Sequence, residues 1–233
     1  MAGLFYGLSV HFKIYPIIYA IPLYLYIDSN FDFIKQGKKW EAFKLSLFSI
    51  NKLKFTLISA SVAIGLQYLF YVIYGYECLY ESLLYHLERK DHRHNFSVYY
   101  HMIYQLFEDK QSSILAFATF VPQFGLLLLT GLTIYYDLFL CLFIQTTVFV
   151  MYNKVITTQY FLWYLTIVPF ALVNNELTGK KWKRGVLLAL GFVAFELFWL
   201  WPAYYFEFEG KHKFAAIQFG SYCWFWYHVI ALQ

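Results

Sequence analysis

Phe55-Thr56-Leu57-Ile58-Ser59-Ala60-Ser61-Val62-Ala63-Ile64-Gly65-Leu66-Gln67-Tyr68-Leu69-Phe70-Tyr71-Val72-Ile73-Tyr74 contains no charged residue. Its length is that of a helix crossing a hydrocarbon layer of about 30 Å at about 1.5 Å per residue. Tyr71 and Tyr74 lie at its far end, where amphipathic rings favour the membrane–water interface. The rest of the chain has the same character: of 233 residues, 61% are hydrophobic, 24% aromatic and 14% charged. A soluble domain is nearer half apolar and a quarter charged, so this composition excludes an ordinary globular enzyme and points to lipid. It also excludes a disordered, collagenous or disulfide-stapled secreted chain. Cys78, Cys141 and Cys223 are odd in number, far apart and without a C-x-x-C pair, so they read as free, buried thiols. The net charge of +4 is small, and the basic residues alternate with apolar runs, which does not describe a nucleic-acid surface.

Outward from this stretch, six more apolar runs stand out: Leu4–Ile27, Ile114–Tyr135, Leu138–Tyr152, Tyr160–Val173, Gly185–Tyr205 and Phe214–Leu232. Leu138–Tyr152 and Tyr160–Val173 are short for a crossing and are expected to be tilted, broken or re-entrant. Backbone in lipid must be bonded internally, and nothing alternates like a barrel strand. The expected fold is therefore all-α: a polytopic transmembrane helical bundle of about seven spans, forming a single transmembrane domain over residues 1–233.

Loop charge sets its orientation. Asp28–Lys54 carries Lys35, Lys38, Lys39, Lys44, Lys52 and Lys54 against three acids, and Asn174–Arg184 carries Lys180, Lys181, Lys183 and Arg184 against one. Four spans separate these loops, so they share a side, and their positive excess makes it the cytosol. Gly75–Ser113, Asn153–Gln159 and Phe206–Lys213 then face the opposite compartment. Gly75–Ser113 begins with apolar residues at 79, 83, 84 and 87, the spacing of an amphipathic helix lying in the interface.

Three polar stretches share that non-cytosolic side. His11-Phe12-Lys13-Ile14-Tyr15-Pro16 puts ionisable residues inside the first apolar run, where they raise a functional question. Pro16 and Pro22 should interrupt that helix, and the carbonyls they free need protein or a cavity to receive them. Arg89, Lys90, His92, Arg93 and His94 form a dense cationic turn suited to a phosphate or diphosphate, although a solvated loop explains the same charges. His86, His92, His94 and His101 lack standard zinc spacing, and no metal site is assigned. Asn95-Phe96-Ser97 has the form of an N-glycosylation acceptor, to be unused if this loop is buried. Asn153-Lys154-Val155-Ile156-Thr157-Thr158-Gln159-Tyr160 offers amides and hydroxyls suited to sugar hydroxyls, and a plain turn would look similar.

At these residues the sequence resembles the PIG-M family, GPI mannosyltransferase I, within the GT-C superfamily. The stretches that carry the resemblance are His11–Pro16, Leu84-Tyr85-His86-Leu87, Asp91–Ser97, Asn153-Lys154-Val155 and Gln159-Tyr160-Phe161-Leu162-Trp163-Tyr164, in order along the whole chain. The resemblance implies a GT-C-like, multi-pass enzyme of the endoplasmic-reticulum membrane with its active site facing the lumen. Such an enzyme moves mannose from dolichyl-phosphate-mannose, with inversion, onto glucosaminyl-(acyl)phosphatidylinositol in an α-1,4 linkage. This is the first mannose of the GPI anchor. The donor is a substrate, and no further cofactor is implied. The expected partners are the lipid-linked donor, the GPI precursor and a small PIG-X-type membrane subunit, with no nucleic acid.

The residues expected to bind substrate are His11, Lys13, Tyr15, Arg89, His92, Arg93, His94, Asn95, Ser97, Asn153, Lys154 and Gln159. No residue stands out as the catalytic base. Family members carry an acidic D-x-D-type motif in a first lumenal loop. This sequence has no acid before Asp28, and its one close acidic pair of that form, Glu207-Phe208-Glu209, lies elsewhere. The sequence therefore reads as the C-terminal portion of such an enzyme. Its rivals are a non-catalytic fragment or subunit and a polytopic lipid transporter. A transporter would show internal repeats, and no convincing one is visible.

Overall fold

The protein is described here by a computed structural model covering residues 1–45, 47–85, 95–105, 118–173 and 179–233. Among the described residues every regular element is helical. In chain order these are α1 (Ala2–Phe12), a 3₁₀ turn (Tyr15–Tyr19), α2 (Ala20–Tyr26), α3 (Phe31–Lys35), α4 (Lys39–Leu45), α5 (Ile50–Tyr74) and α6 (Tyr76–Leu79). A π turn (Tyr80–Leu84), α7 (Tyr100–Gln105), α8 (Phe120–Thr133) and α9 (Leu138–Met151) follow. The chain ends with a 3₁₀ turn (Thr158–Tyr160), α10 (Phe161–Leu165), α11 (Val168–Ala171), α12 (Trp182–Glu209) and α13 (Phe214–Ala231). The chain divides into two compact units, Met1–Arg89 with Leu127–Gln145, and Lys90–Leu126 with Thr146–Gln233.

Two of these helices, α5 with 25 residues and mean hydropathy 1.7 and α12 with 28 residues and mean hydropathy 1.9, are long and apolar enough to cross a membrane. Their outer faces show why lipid is the fitting surroundings. Ile64 on α5 is 69% exposed and Leu187 on α12 is 68% exposed, in rows of similarly uncovered side chains. Burying one such side chain is worth about 1.5–3 kcal/mol, which bilayer contact supplies and water does not. The other expected runs appear as shorter or interrupted helices. The first is broken at Lys13, whose extended backbone ends α1, and the Pro16 turn follows it. The Tyr6 hydroxyl donates to the Pro16 carbonyl at 3.1 Å and ties this turn back to α1. Tyr160–Val173 is likewise divided between α10 and α11, with Pro169 in the first turn of α11.

In the first unit, α1 lies against α5 through Gly3 and Gly7, both buried. A Cβ at Gly3 would stand 2.9 Å from the Phe55 carbonyl oxygen, and one at Gly7 would stand 2.5 Å from that of Ser59. Only hydrogen at these positions permits so close a backbone approach. Lys52, counted above among loop charges, is fully buried in the first turn of α5. Its ammonium donates to the Leu25 carbonyl at 3.3 Å and sits 5.1 Å from the Tyr24 ring centre. Asp28 has a left-handed φ of 53° and accepts from Ser49 Oγ at 2.6 Å and Asn51 Nδ2 at 3.2 Å. These donors hold its carboxyl below the ordinary range, with a smaller contribution from Lys52. Asp137 accepts from the Leu140 amide at 3.3 Å and so caps the start of α9.

The stretch read as an interfacial helix is helical over its described residues. After Gly75, α6 and the π turn leave Glu81 and Ser82 exposed while Leu79, Leu83 and Leu84 are half-buried. The remainder of that expectation, from His86, lies outside the described residues.

In the second unit, α12 and α13 form an antiparallel pair. A Cβ at Gly220 would stand 3.2 Å from the Trp199 Cα, and the Trp199 indole donates to Ser221 Oγ at 3.0 Å. Around Trp199 and Trp224 an aromatic core gathers Phe161, Tyr164 and Phe192, and Phe96 of the long loop enters it.

Candidate functional site

The second unit brings together two of the polar stretches, and Phe96 is the reason they meet. It is buried, stacks on Trp199 with ring centres 3.6 Å apart, and meets Phe161 edge to face at 5.2 Å. A Phe side chain held this way is worth about 3–5 kcal/mol against truncation to alanine. It pins its neighbours Asn95 and Ser97 against the turn after α9.

There the two segments bond as if they were short strands. The Phe96 amide donates to the Ile156 carbonyl at 2.9 Å. The Asn95 side chain continues the pattern: its Oδ1 accepts from the Ile156 amide at 2.9 Å and from the Ser97 amide at 3.0 Å. Its Nδ2 donates to the Lys154 carbonyl at 2.9 Å. Ser97 Oγ donates to the Asn153 carbonyl at 2.7 Å and accepts from the Tyr99 amide at 3.2 Å. Asn95, Ser97 and Ile156 are fully buried, so each of these groups would be costly to leave unpaired, at about 1–3 kcal/mol apiece.

A second amide fastens the loop from the other end. Gln218 of α13 accepts from the His101 amide at 2.9 Å through Oε1 and donates to the Val98 carbonyl at 3.0 Å through Nε2. Beside it Tyr100 is buried, and its hydroxyl pKa is pushed up to about 12, first by that burial and then by Tyr104 and Glu207.

The clamped turn sets the functional groups. Lys154 is 3% exposed and places its ammonium 5.2 Å from the centre of the Phe120 ring, a cation–π contact from α9's trailing turn to the start of α8. One helical turn along α8, Gln123 is fully buried and donates to the Phe149 carbonyl at 2.6 Å, while its Oε1 has no partner among the described residues. Three residues beyond Lys154, the buried Thr157 Oγ1 is equally unpaired. Buried polar atoms are nearly always satisfied, so these unmet atoms, in the same unit as the buried Lys154, are the candidates for contact with a polar ligand. Gln159 follows on the exposed 3₁₀ turn, and Asn153 is half-buried.

The remaining sequence-derived residues lie elsewhere. His11, Lys13 and Tyr15 belong to the first unit. His11 stacks on Phe70 with ring centres 5.4 Å apart and has a buried Nδ1 without a partner among the described residues, Lys13 is exposed, and Tyr15 is half-buried on the 3₁₀ turn. Arg89, His92, Arg93 and His94 lie outside the described residues. Thr157 belongs to the polar stretch Asn153–Tyr160 read from the sequence, whereas Gln123 and Gln218 are additions that sequence reasoning missed. A neutral amide inside an apolar run is the signal that would have found both.

Among the described residues the chain is all-helical, with two helices long and apolar enough to cross a membrane, and its second unit carries a buried lysine and buried amide and hydroxyl oxygens without described partners. Comparison with known proteins gives it a family. The profile described as Mannosyltransferase (PIG-M) matches residues 1–233, and the chain belongs to that family. It is 40% identical over 232 residues to "GPI mannosyltransferase 1" of Dictyostelium discoideum, covering 92% of this chain and 52% of that protein. It is 42% identical over 221 residues to "GPI mannosyltransferase 1" of Saccharomyces cerevisiae, with the same coverage. To "GPI alpha-1,4-mannosyltransferase I, catalytic subunit" of Danio rerio it is 41% identical over 216 residues, covering 93% and 53%. The chain thus spans about half the length of the curated relatives it matches.

Proposed function

We propose that this chain is part of a GPI mannosyltransferase that transfers the first mannose, α-1,4, from dolichyl-phosphate-mannose to glucosaminyl-(acyl)phosphatidylinositol. The observation that carries the reading is the family match over residues 1–233, and the candidate polar site in the second unit supports it. In this reading the chain crosses the endoplasmic-reticulum membrane about seven times, with helix breaks near Lys13 and Leu165, and the candidate site opens to the lumen. The loop charges support that orientation, because both lysine-rich loops fall on the opposite side. A small PIG-X-type subunit is the expected membrane partner.

The chemistry asks for two kinds of group. An acceptor hydroxyl attacks the anomeric carbon as the bond to the dolichyl phosphate breaks, and a β-linked donor gives an α product by inversion. A carboxylate base takes the hydroxyl proton, and cations stabilise the departing phosphate. We assign the cationic role to Lys13, Arg89, His92, Arg93 and His94, and a substrate-binding role to His11 and Tyr15. Lys154, Asn153, Gln159, Gln123 and Thr157 orient a sugar or the acceptor head, because hydroxyls complement unpaired amide and hydroxyl oxygens. No described residue is assigned as the base.

Complementation tests the reading. In cells lacking the first GPI mannosyltransferase, the native gene restores surface GPI-anchored proteins, and Lys154→Met restores markedly fewer at equal protein level. Native protein that is present and inserted yet restores none overturns the proposal.

A further inference from the structure

We infer that Asn95-Phe96-Ser97, although it has the form of a glycosylation acceptor, carries no glycan and is instead a latch whose amide positions the sugar-orienting turn Asn153–Thr157. The positioning half rests on the transfer reaction proposed above, whereas the glycan half does not depend on it.

A glycan would be attached through Asn95 Nδ2, and that nitrogen is already spent on the Lys154 carbonyl at 2.9 Å in a residue with no exposed surface. The hydroxyl two positions on, which defines the acceptor pattern, is held between the Asn153 carbonyl and the Tyr99 amide. The residue between them is stacked 3.6 Å from Trp199. Presenting this triplet to a modifying enzyme means extracting Phe96 from the aromatic core and breaking bonds at Asn95 and Ser97 together.

The same bonds define the latch. Asn95 bridges Lys154 and Ile156, taking the amide of one and serving the carbonyl of the other, so it fixes the peptide planes on both sides of Val155. Lys154, directed at the Phe120 ring, and Thr157, with its unpaired hydroxyl, lie immediately to either side of the clamped stretch. Asn95 itself touches no substrate in this account. It is a positioning residue, and Asn95→Asp isolates its role. That change is nearly isosteric and keeps an acceptor for the Ile156 and Ser97 amides. It removes the Asn95 donor to the Lys154 carbonyl and sets a carboxylate oxygen against that carbonyl.

Two measurements on the native protein expressed in eukaryotic cells decide the matter. Endoglycosidase treatment followed by peptide mass spectrometry should find the Asn95 peptide unmodified, and a glycopeptide containing Asn95 overturns the latch. Mannosyl transfer from dolichyl-phosphate-mannose, expressed per folded monodisperse protein, should fall about tenfold at saturating donor in Asn95→Asp, the scale of one lost bond to a buried carbonyl. Gly65→Ala on α5, where a Cβ meets nothing within 4 Å, should stay close to wild type. A merely structural role would lower the yield of folded protein and leave the rate per folded molecule unchanged, and that outcome overturns the positioning half. Wild-type protein that transfers no mannose instead overturns the proposed function, while the glycan measurement still decides the triplet.

Discussion

The α1–α5 contact of the first unit and the loop crossing of the second unit both join segments far apart in sequence, but by opposite means. At Gly3 and Gly7 the protein removes side chains so that backbones touch, and a methyl group at Gly7 would meet the Ser59 carbonyl at 2.5 Å. At Asn95 and Gln218 it uses side chains as surrogate backbone, donating to and accepting from peptide groups that no helix or sheet satisfies. The first contact lies within apolar helices that already bond their own backbones, so only close packing remains to be gained. The second joins irregular segments whose amides and carbonyls would otherwise be buried unpaired. The sugar-orienting turn proposed above belongs to the second kind of region, because irregular backbone is where polar groups can be aimed.

Three perturbations separate these two modes. The largest effect belongs to Phe96→Ala. It empties the space against Trp199 and should cost about 3–5 kcal/mol of stability in the second unit. A detergent thermal-unfolding midpoint lowered by only a degree or two would show that the loop is held by its amides alone.

Gly7→Ala comes next, at about 1–3 kcal/mol, because the new methyl meets backbone and a helix has to move. Gly65→Ala on α5 is its control. A Cβ there meets nothing within 4 Å, so the change should be neutral or slightly stabilising through helix propensity. Equal destabilisation by the two substitutions would break the glycine-packing account.

The smallest effect is at Asp28, where acid weakens the junction with α5. Its carboxyl is held below the ordinary range by Ser49 and Asn51, so its contribution is present above the ordinary carboxylate pKa of about 4. That contribution is lost as the pH falls through the depressed value. Thermal midpoints of wild type and Asp28→Asn should differ at pH 7, and the gap should narrow as the pH falls below about 4. A gap that acid leaves unchanged contradicts the assignment.

The places where the apolar chain runs were readable because charge is excluded from lipid, and the break at Pro16 was readable because proline removes a donor. The Gly3–Gly7 pair was equally present in the sequence, but a search for ionisable residues passes over glycine. Gln123 and Gln218 escaped for a related reason: neutral amides disturb hydropathy little, and their meaning lies in which peptide groups the fold leaves unpaired. Asn95 is the instructive case. Sequence pattern offers a substrate ligand or a glycan acceptor, and only the position of Ile156, some sixty residues away, shows its amide to be committed to the backbone. For Arg89, His92, Arg93 and His94 the sequence remains the source of the phosphate assignment.

The most direct test of the central claim is mannosyl transfer by purified native protein carrying Gln123→Leu, measured per folded molecule with dolichyl-phosphate-mannose as donor. Leucine keeps the buried volume on α8 and removes the unpaired oxygen. Transfer per folded molecule should fall about tenfold or more, the scale of a lost hydrogen bond to a sugar hydroxyl, alongside a stability loss of about 1–3 kcal/mol because leucine also removes the donor to the Phe149 carbonyl. Unchanged transfer in a folded Gln123→Leu protein would contradict the assignment of this site to sugar binding.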